Sequence, residues 1–166
     1  WIWQTKHGNK AADKPYKRIY LHLKHGRRRR NRGNRNDSRG IIPNRVPIDK
    51  RSKIVEKRIR PGDIEVDFMM GKNHKGALLV MTDRATLHTR LHKLSNRRSE
   101  TVSKAIIKKL EQAEYPMHTV TFDNDLGFAN HTAVAEALNV DTYFTRPYTS
   151  QDKGTVENRI GQIRRF

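Results

Sequence analysis

The sequence predicts an α/β fold, a mixed five-stranded sheet with helices on its faces in the order βββαβαβα, preceded by a basic and largely irregular arm. Three observations carry that prediction. Apolar and polar residues alternate at period two over residues 63–70 and again over 87–94, as half-buried strands require. Apolar residues recur at three- and four-residue steps at Val102, Ala105, Ile106, Leu110 and Ala113, and again at Val156, Ile160 and Ile163, the stripe of a helix burying one face. The positive charge is confined to one end: residues 1–60 hold 20 Lys and Arg against 4 Asp and Glu, a net +16 out of +18, whereas residues 61–166 hold 15 against 13. The domain boundary is therefore placed near residue 60, with an arm and connector over 1–60 and a core over 61–166 that is cut short in its last helix.

The elements follow in order. Residues 1–26 scatter Ile2, Trp3, Tyr16, Ile19, Tyr20, Leu21 and Leu23 among Lys and His. That allows a short helix around Tyr16–His25 but no independent core. The block from Gly26 to Arg35, with Arg27, Arg28, Arg29, Arg30, Arg32 and Arg35, has almost nothing to bury and is expected to order only on a partner. Ile41–Ile48 contains Pro43 and Pro47 and reads as an extended connector, because a proline steers its predecessor out of the helical region. Strands are expected over Asp63–Met70, Ala77–Thr82 and Leu87–Leu94, with a hairpin-type turn at Gly71–Gly76. A helix follows from an N-cap at Ser99 and ends at Tyr115-Pro116. His118–Phe122 is a fourth strand, Thr132–Leu138 a short helix opened by Asn130 or His131, and Thr142–Thr145 a fifth strand. The polar loop Pro147–Gly154 leads into the last helix.

Charge and composition narrow the function. A net +16 in sixty residues calls for an anionic partner, and the arginine block is the simplest phosphate-binding element, since each neutralised phosphate releases counterions. Trp1, Trp3, Tyr16 and Tyr20 are able to stack on bases or to pack against other protein. Cysteine is absent, which excludes disulfides, thiolate metal sites and cysteine nucleophiles. No apolar run approaches the ~18–20 residues of a membrane span, so a soluble protein without a membrane partner is expected. The chain lacks an initiating Met and stops inside a helical pattern, as a fragment of a longer protein does. No glycine-rich phosphate loop with Lys-Ser/Thr is present, which argues against ATP-driven chemistry.

Acids at strand ends are the candidates for chemistry. Asp67 lies in the first strand, Asp123 at the end of the fourth and Glu157 on the last helix. Three carboxylates at one sheet edge repel one another unless protonated or bridged by cations. Hard oxygen donors favour magnesium or manganese, and two such ions activate an attacking oxygen and stabilise a leaving one at a phosphodiester. The competing reading is that a strand-end Asp caps a turn; Asp63, Glu65, Asp83, Asp125 and Asp141 are expected to be solvated turn acids of that kind.

The local wording goes further. Asp63-Ile64-Glu65-Val66-Asp67, then Thr121-Phe122-Asp123-Asn124 with Phe128-Ala129, then Pro147-Tyr148 leading to Lys153-Gly154-Thr155-Val156-Glu157-Asn158 resemble the IS-thirty family of bacterial insertion-sequence transposases. The 33 residues between Asp123 and Glu157 match that family's spacing, and the resemblance extends over essentially the whole chain. It implies a ribonuclease-H-like, retroviral-integrase-like core in which Asp67, Asp123 and Glu157 are the catalytic, metal-holding Asp-Asp-Glu set for two magnesium or manganese ions. It further implies metal-dependent DNA cleavage and transfer of a 3′-hydroxyl to target DNA during transposition, recombination and integration. Lys153, Asn158 and Arg159 would then join the arginine arm as DNA-facing residues. The implied partners are double-stranded element ends and target DNA and, for the full-length protein, a second copy of itself. The implied location is the bacterial cytoplasm, beside the nucleoid.

This chain departs from the family in its second motif. The family reads Asp-Asn-Gly followed by Glu-Phe; here Asp125 stands for the glycine and Gly127 for the acid, so Asp125 is expected to cost strain or add an unhelpful charge. A second Asn is replaced by Ile160, and Gly161, one turn after Glu157, leaves room beside the site. Two other classes stay open: a catalytically inactive nucleic-acid-binding remnant, and a basic RNA-binding protein of ribosomal type. The histidines, His22 and His25 or His88 and His92, lack the adjacent Glu of a zinc hydrolase helix and are read as surface or DNA-facing groups.

Overall fold

A computed structural model describes residues 41–71, 76–147 and 149–165. The arginine block, the Tyr16–His25 helix, the four N-terminal aromatics and the tip of the Gly71–Gly76 turn lie outside the described residues. The chain divides into two units, Trp1–Ser38 and Arg39–Phe166, and the second contains everything described.

Its sheet has the order β3-β2-β1-β4-β5, with β1 Asp63–Met70, β2 Ala77–Asp83, β3 Thr89–Leu94, β4 Thr119–Phe122 and β5 Asp141–Phe144. The first three strands pair antiparallel, while β4 runs parallel to both β1 and β5. Among the described residues there are four α-helices: α1 Lys53–Lys57, α2 Ser99–Leu110, α3 His131–Leu138 and α4 Gly154–Ile163. The expected βββαβαβα order is the observed one from β1 onward. Boundaries differ where a turn intervenes. Leu87, at φ +62°, belongs to the β2–β3 turn, whose Ala85 and Thr86 amides bond to the Asp83 carboxylate at 2.9 and 2.8 Å. Ser99 is the first residue of α2; Arg98 holds the cap position and makes no side-chain cap bond.

Alternation along the strands decides which side chains meet which helices. Ile64 and Val66 of β1, with Leu79 and Met81 of β2, face Val102, Ala105, Ile106 and Leu110 of α2 and Val134 of α3. The opposite parity, with Val80 of β2 and Met69 of β1, faces Val156 and Ile160 of α4. Successive strand residues point to opposite faces, so Glu65 and Asp67 are directed to the α4 side.

The connector packs within the unit Arg39–Phe166. Ile42 joins the main core, and Ile48 and Val55 are buried. Pro47 bridges Phe144 in parallel, and the Phe144 amide donates to the Val46 carbonyl at 2.9 Å, which covers the open edge of β5. Buried His131 fastens the start of the segment, with one ring nitrogen 2.9 Å from the Pro43 carbonyl and the other 2.9 Å from the Thr142 hydroxyl. Apolar residues spaced too irregularly to show a period are here buried by position along the sheet edge.

Candidate active site

The C-terminal end of β4 delivers Asp123, and the parallel pairing of β4 with β1 brings it beside Asp67. Between the two stands Lys153, whose Nζ lies 2.9 Å from Asp67 Oδ2 and 3.7 Å from Asp123 Oδ2. The same ammonium reaches the Val66 carbonyl at 3.5 Å. Lys153 is 4% exposed. The ammonium of Lys153, read from the sequence as DNA-facing, is here turned inward onto two carboxylates, because α4 begins directly over the β1 face that carries Asp67.

Glu157 sits in the first turn of α4, exposed. Partial burial pushes its carboxyl above the ordinary range; the Lys153 charge opposes that shift, and the Asp67 and Glu65 charges add to it. Asp123 behaves alike: burial raises it, Lys153 pulls it down and Asp67 raises it again. These acids share one electrostatic environment. Asp67 and Asp123 converge on a single cation; Glu157 stands beside them without joining that contact. Among the described residues no three Asp, Glu or His side chains group closely enough to hold one ion. The donor set fits a divalent ion at Asp67 and Asp123, whose hard oxygens already surround one positive centre, and Glu157 supplies the adjacent charge.

Glu65, expected in a solvated turn, is wholly buried. Its Oε2 accepts the Val156 amide at 2.9 Å, the third residue of α4. The helix's own cap residue makes no side-chain cap bond, so Glu65 caps it from the neighbouring strand, and its negative charge suits a helix N-terminus. Its other oxygen pairs with buried Arg84, whose second nitrogen reaches Glu56 Oε2 at 3.1 Å. Glu56 also pairs with Arg51, which donates to Thr121 of β4 at 2.9 Å. Burial alone would raise the Glu56 carboxyl, but the Arg51 hydrogen bond and the Arg51, Arg84 and Arg58 charges outweigh it and lower its pKa. A chain of charge pairs and hydrogen bonds thus ties α1, β1, β4, the residue after β2 and the start of α4 together. Sequence reasoning passed over Glu65; the available signal was that it lies two residues from Asp67 on one strand and so shares its face.

The altered second motif is accommodated without strain. Asp125 has ordinary extended torsions (φ −82°, ψ 136°) and caps a short turn of helix at Leu126–Phe128, its Oδ1 accepting the Gly127 amide at 2.8 Å. Its other oxygen pairs with Arg97. Gly127 leaves room for the Phe68 ring, since an added Cβ would meet that ring at 2.9 Å, and Phe68 stacks on Phe128 at 4.4 Å. The expected cost of Asp125 is absent because its carboxylate is matched locally. Gly161 opens onto free space, Asn158 is exposed, and Arg159 donates to Gln162 at 2.7 Å. Two more of the supposed turn acids are buried: Asp63 accepts from Thr119 at 2.8 Å, and Asp83 accepts the Gly62 amide at 2.6 Å.

No protein-family model matches the chain. The transposase for insertion sequence element IS4351 of Bacteroides fragilis is 41% identical over all 166 residues, which cover 49% of its length. The transposase for IS1086 of Cupriavidus metallidurans is 30% identical over 131 residues, 78% of this chain and 39% of that protein. Transposase InsI for IS30A of Escherichia coli is 32% identical over 146 residues, 87% of this chain and 37% of that protein. The chain spans about half the length, or less, of these curated relatives. The solved catalytic core domain of BIV integrase superposes with a TM-score of 0.50 at 17% identity, covering 61% of this chain and 64% of that one. The expected ribonuclease-H-like, integrase-like fold is the observed fold.

Proposed function

Because this chain belongs to the family of insertion-sequence transposases that includes the IS30 elements, we propose that it carries the core of a DNA transposase, one that cuts element ends and joins 3′-hydroxyls to target DNA. The carrying observation is the meeting of Asp67 and Asp123 on the Lys153 ammonium, with Glu157 in the first turn of the helix that starts directly after that lysine. In this reading Asp67 and Asp123 hold two magnesium or manganese ions, and Glu157 completes the set. The chemistry those ions supply when bound is activation of a water or 3′-hydroxyl and stabilisation of the leaving oxygen. The chain's own residues do the rest. Glu65 fixes the first turn of α4, and with it the backbone of Glu157, to β1. Asn124, whose amide donates to the Thr145 carbonyl at 2.8 Å while Arg45 donates to its side-chain oxygen at 2.5 Å, ties the loop after Asp123 to β5 and the connector.

The arginines 27–30, 32 and 35, the exposed Asn158 and the half-buried Arg159 supply phosphate contacts to double-stranded DNA in the bacterial cytoplasm, and the full-length protein works as a homo-oligomer. Incubation of the chain with element-end DNA and Mg²⁺ or Mn²⁺ tests this: cleaved and joined products are expected, and each of Asp67→Asn, Asp123→Asn and Glu157→Gln should abolish them. Products that persist in the Asp67 and Asp123 variants would defeat the assignment. Removal of residues 1–38 should weaken DNA binding and flatten its salt dependence, the slope falling by up to about 0.9 per lost phosphate contact.

A further inference from the structure

Lys153 is a charged group at the centre of the site that the chemistry above does not use. Lysines ordinarily keep their ammonium in water while burying the stem; this one is 4% exposed. Three oxygens surround its Nζ, two from the carboxylates of Asp67 and Asp123 and one from the Val66 carbonyl, at 2.9, 3.7 and 3.5 Å. Each of these neighbours is an acceptor and two are charged. A cradle of hard oxygens around one positive centre is also what a divalent ion seeks, and the ammonium, 2.9 Å from Asp67 Oδ2 and 3.7 Å from Asp123 Oδ2, occupies the position from which an ion would share those two oxygens. Position in the chain makes departure easy. Lys153 ends the 3₁₀ turn Ser150–Lys153 and precedes Gly154, the first residue of α4, where even an added Cβ would meet nothing. Its flexible four-carbon stem is therefore able to swing out without moving the helix, which Glu65 holds independently through Val156.

We propose that Lys153 is a resident counter-ion: in the metal-free protein its ammonium holds the cation position between Asp67 and Asp123, and an entering divalent ion displaces it. The inference rests on the reading of Asp67 and Asp123 as metal-holding carboxylates. It makes Lys153 a competitor of the metal, in contrast to a bystander or a metal-supporting residue. Once displaced, the ammonium becomes a free cation at a site whose proposed substrate is a phosphodiester.

Calorimetric titration of the full chain with Mn²⁺, without DNA, separates these roles. Lys153→Met and Lys153→Gln remove the competing charge while leaving the two carboxylates, and both are expected to bind Mn²⁺ at least about tenfold more tightly than the parent. Both should also melt lower than the parent without metal and gain more in Tm when Mn²⁺ is added. Mn²⁺ affinity equal to or weaker than the parent's in these variants overturns the inference while Asp67→Asn, having lost Mn²⁺ binding, leaves the metal site standing. If Asp67→Asn binds Mn²⁺ as the parent does, the metal reading itself fails and the inference falls with it. A measurement on the unaltered chain guards against variants that do not fold. The ¹⁵N resonance of the Lys153 ammonium should be protected from solvent exchange without metal and lose that protection at saturating Mg²⁺; protection that survives saturation overturns displacement.

Discussion

Replacing Glu65 by alanine tests the framework that holds the site. The side chain is wholly buried, and its carboxylate both caps α4 through Val156 and pairs with Arg84, which is itself 3% exposed. Removing one partner of a buried pair strands the other charge, at a cost of about 3–5 kcal/mol. Arg84 keeps a contact to Glu56, but the Glu56 side chain is 58% exposed, so solvent screens most of that compensation. Loss of the cap adds about 1 kcal/mol. Single domains are stable by only about 5–15 kcal/mol, so Glu65→Ala should remove a large fraction of the total. Urea unfolding at neutral pH, followed by circular dichroism, measures it as a fall in midpoint at constant slope. The double variant Glu65→Ala/Arg84→Met removes both charges together and should cost clearly less than the sum of the single changes. A Glu65→Ala protein within about 0.5 kcal/mol of the parent, or strict additivity in the double variant, would refute the argument that this carboxylate is a structural keystone.

Three further outcomes are expected. Gly62 has φ +99°, and an added Cβ would lie 2.1 Å from the Pro116 carbonyl oxygen, so Gly62→Ala should destabilise by about 2–4 kcal/mol in the same urea assay; an unchanged midpoint contradicts the packing. Burial raises the Asp123 carboxyl above its ordinary value despite the opposing Lys153 charge, so the folded protein binds this proton more tightly than the unfolded chain does, and stability falls as pH rises from the unfolded pKa through the folded one. Metal-free Asp123→Asn should therefore be more stable than the parent at about pH 7 and equal to it at about pH 3; a difference that is the same at both pH values refutes the sign. Finally, a chain begun at Arg39 should unfold cooperatively like the full one, whereas a chain begun at Pro61 loses buried Ile42, Ile48, Val55 and Arg51 and should lose its cooperative transition; equal midpoints for the two truncations would show that the connector is dispensable.

The strands and helices beyond residue 60 were legible because each writes its burial as a period. Ile64 and Val66 alternate with Glu65 and Asp67, and Val156, Ile160 and Ile163 step along one face of α4. The wording around Asp67, Asp123 and Glu157 was legible as a family resemblance, and the structure brings the first two onto one ammonium. The connector was not, because it is buried at isolated points, with Ile42 in the main core and Val46–Ile48 along the β5 edge, and such burial leaves no repeat in the chain. Glu65 and Asp83 were misjudged for a related reason: an isolated acid in sequence carries no mark of the arginine or amide that pairs with it 19 or 21 positions away.

By itself, the sequence determined the order of elements beyond residue 60 and the concentration of positive charge in the first sixty residues, because those properties depend on local periodicity and summed charge. Tertiary structure alone decided that Asp67 and Asp123 face each other across Lys153, that Glu56 of α1 bridges Arg51 and Arg84, and that α4 is capped from another strand by Glu65. Those outcomes depend on parallel pairing between segments as far apart as Asp63 and Thr119, 56 positions along the chain, and on which side chains a closed core leaves facing one another. Neither quantity is stored in any local stretch of chain.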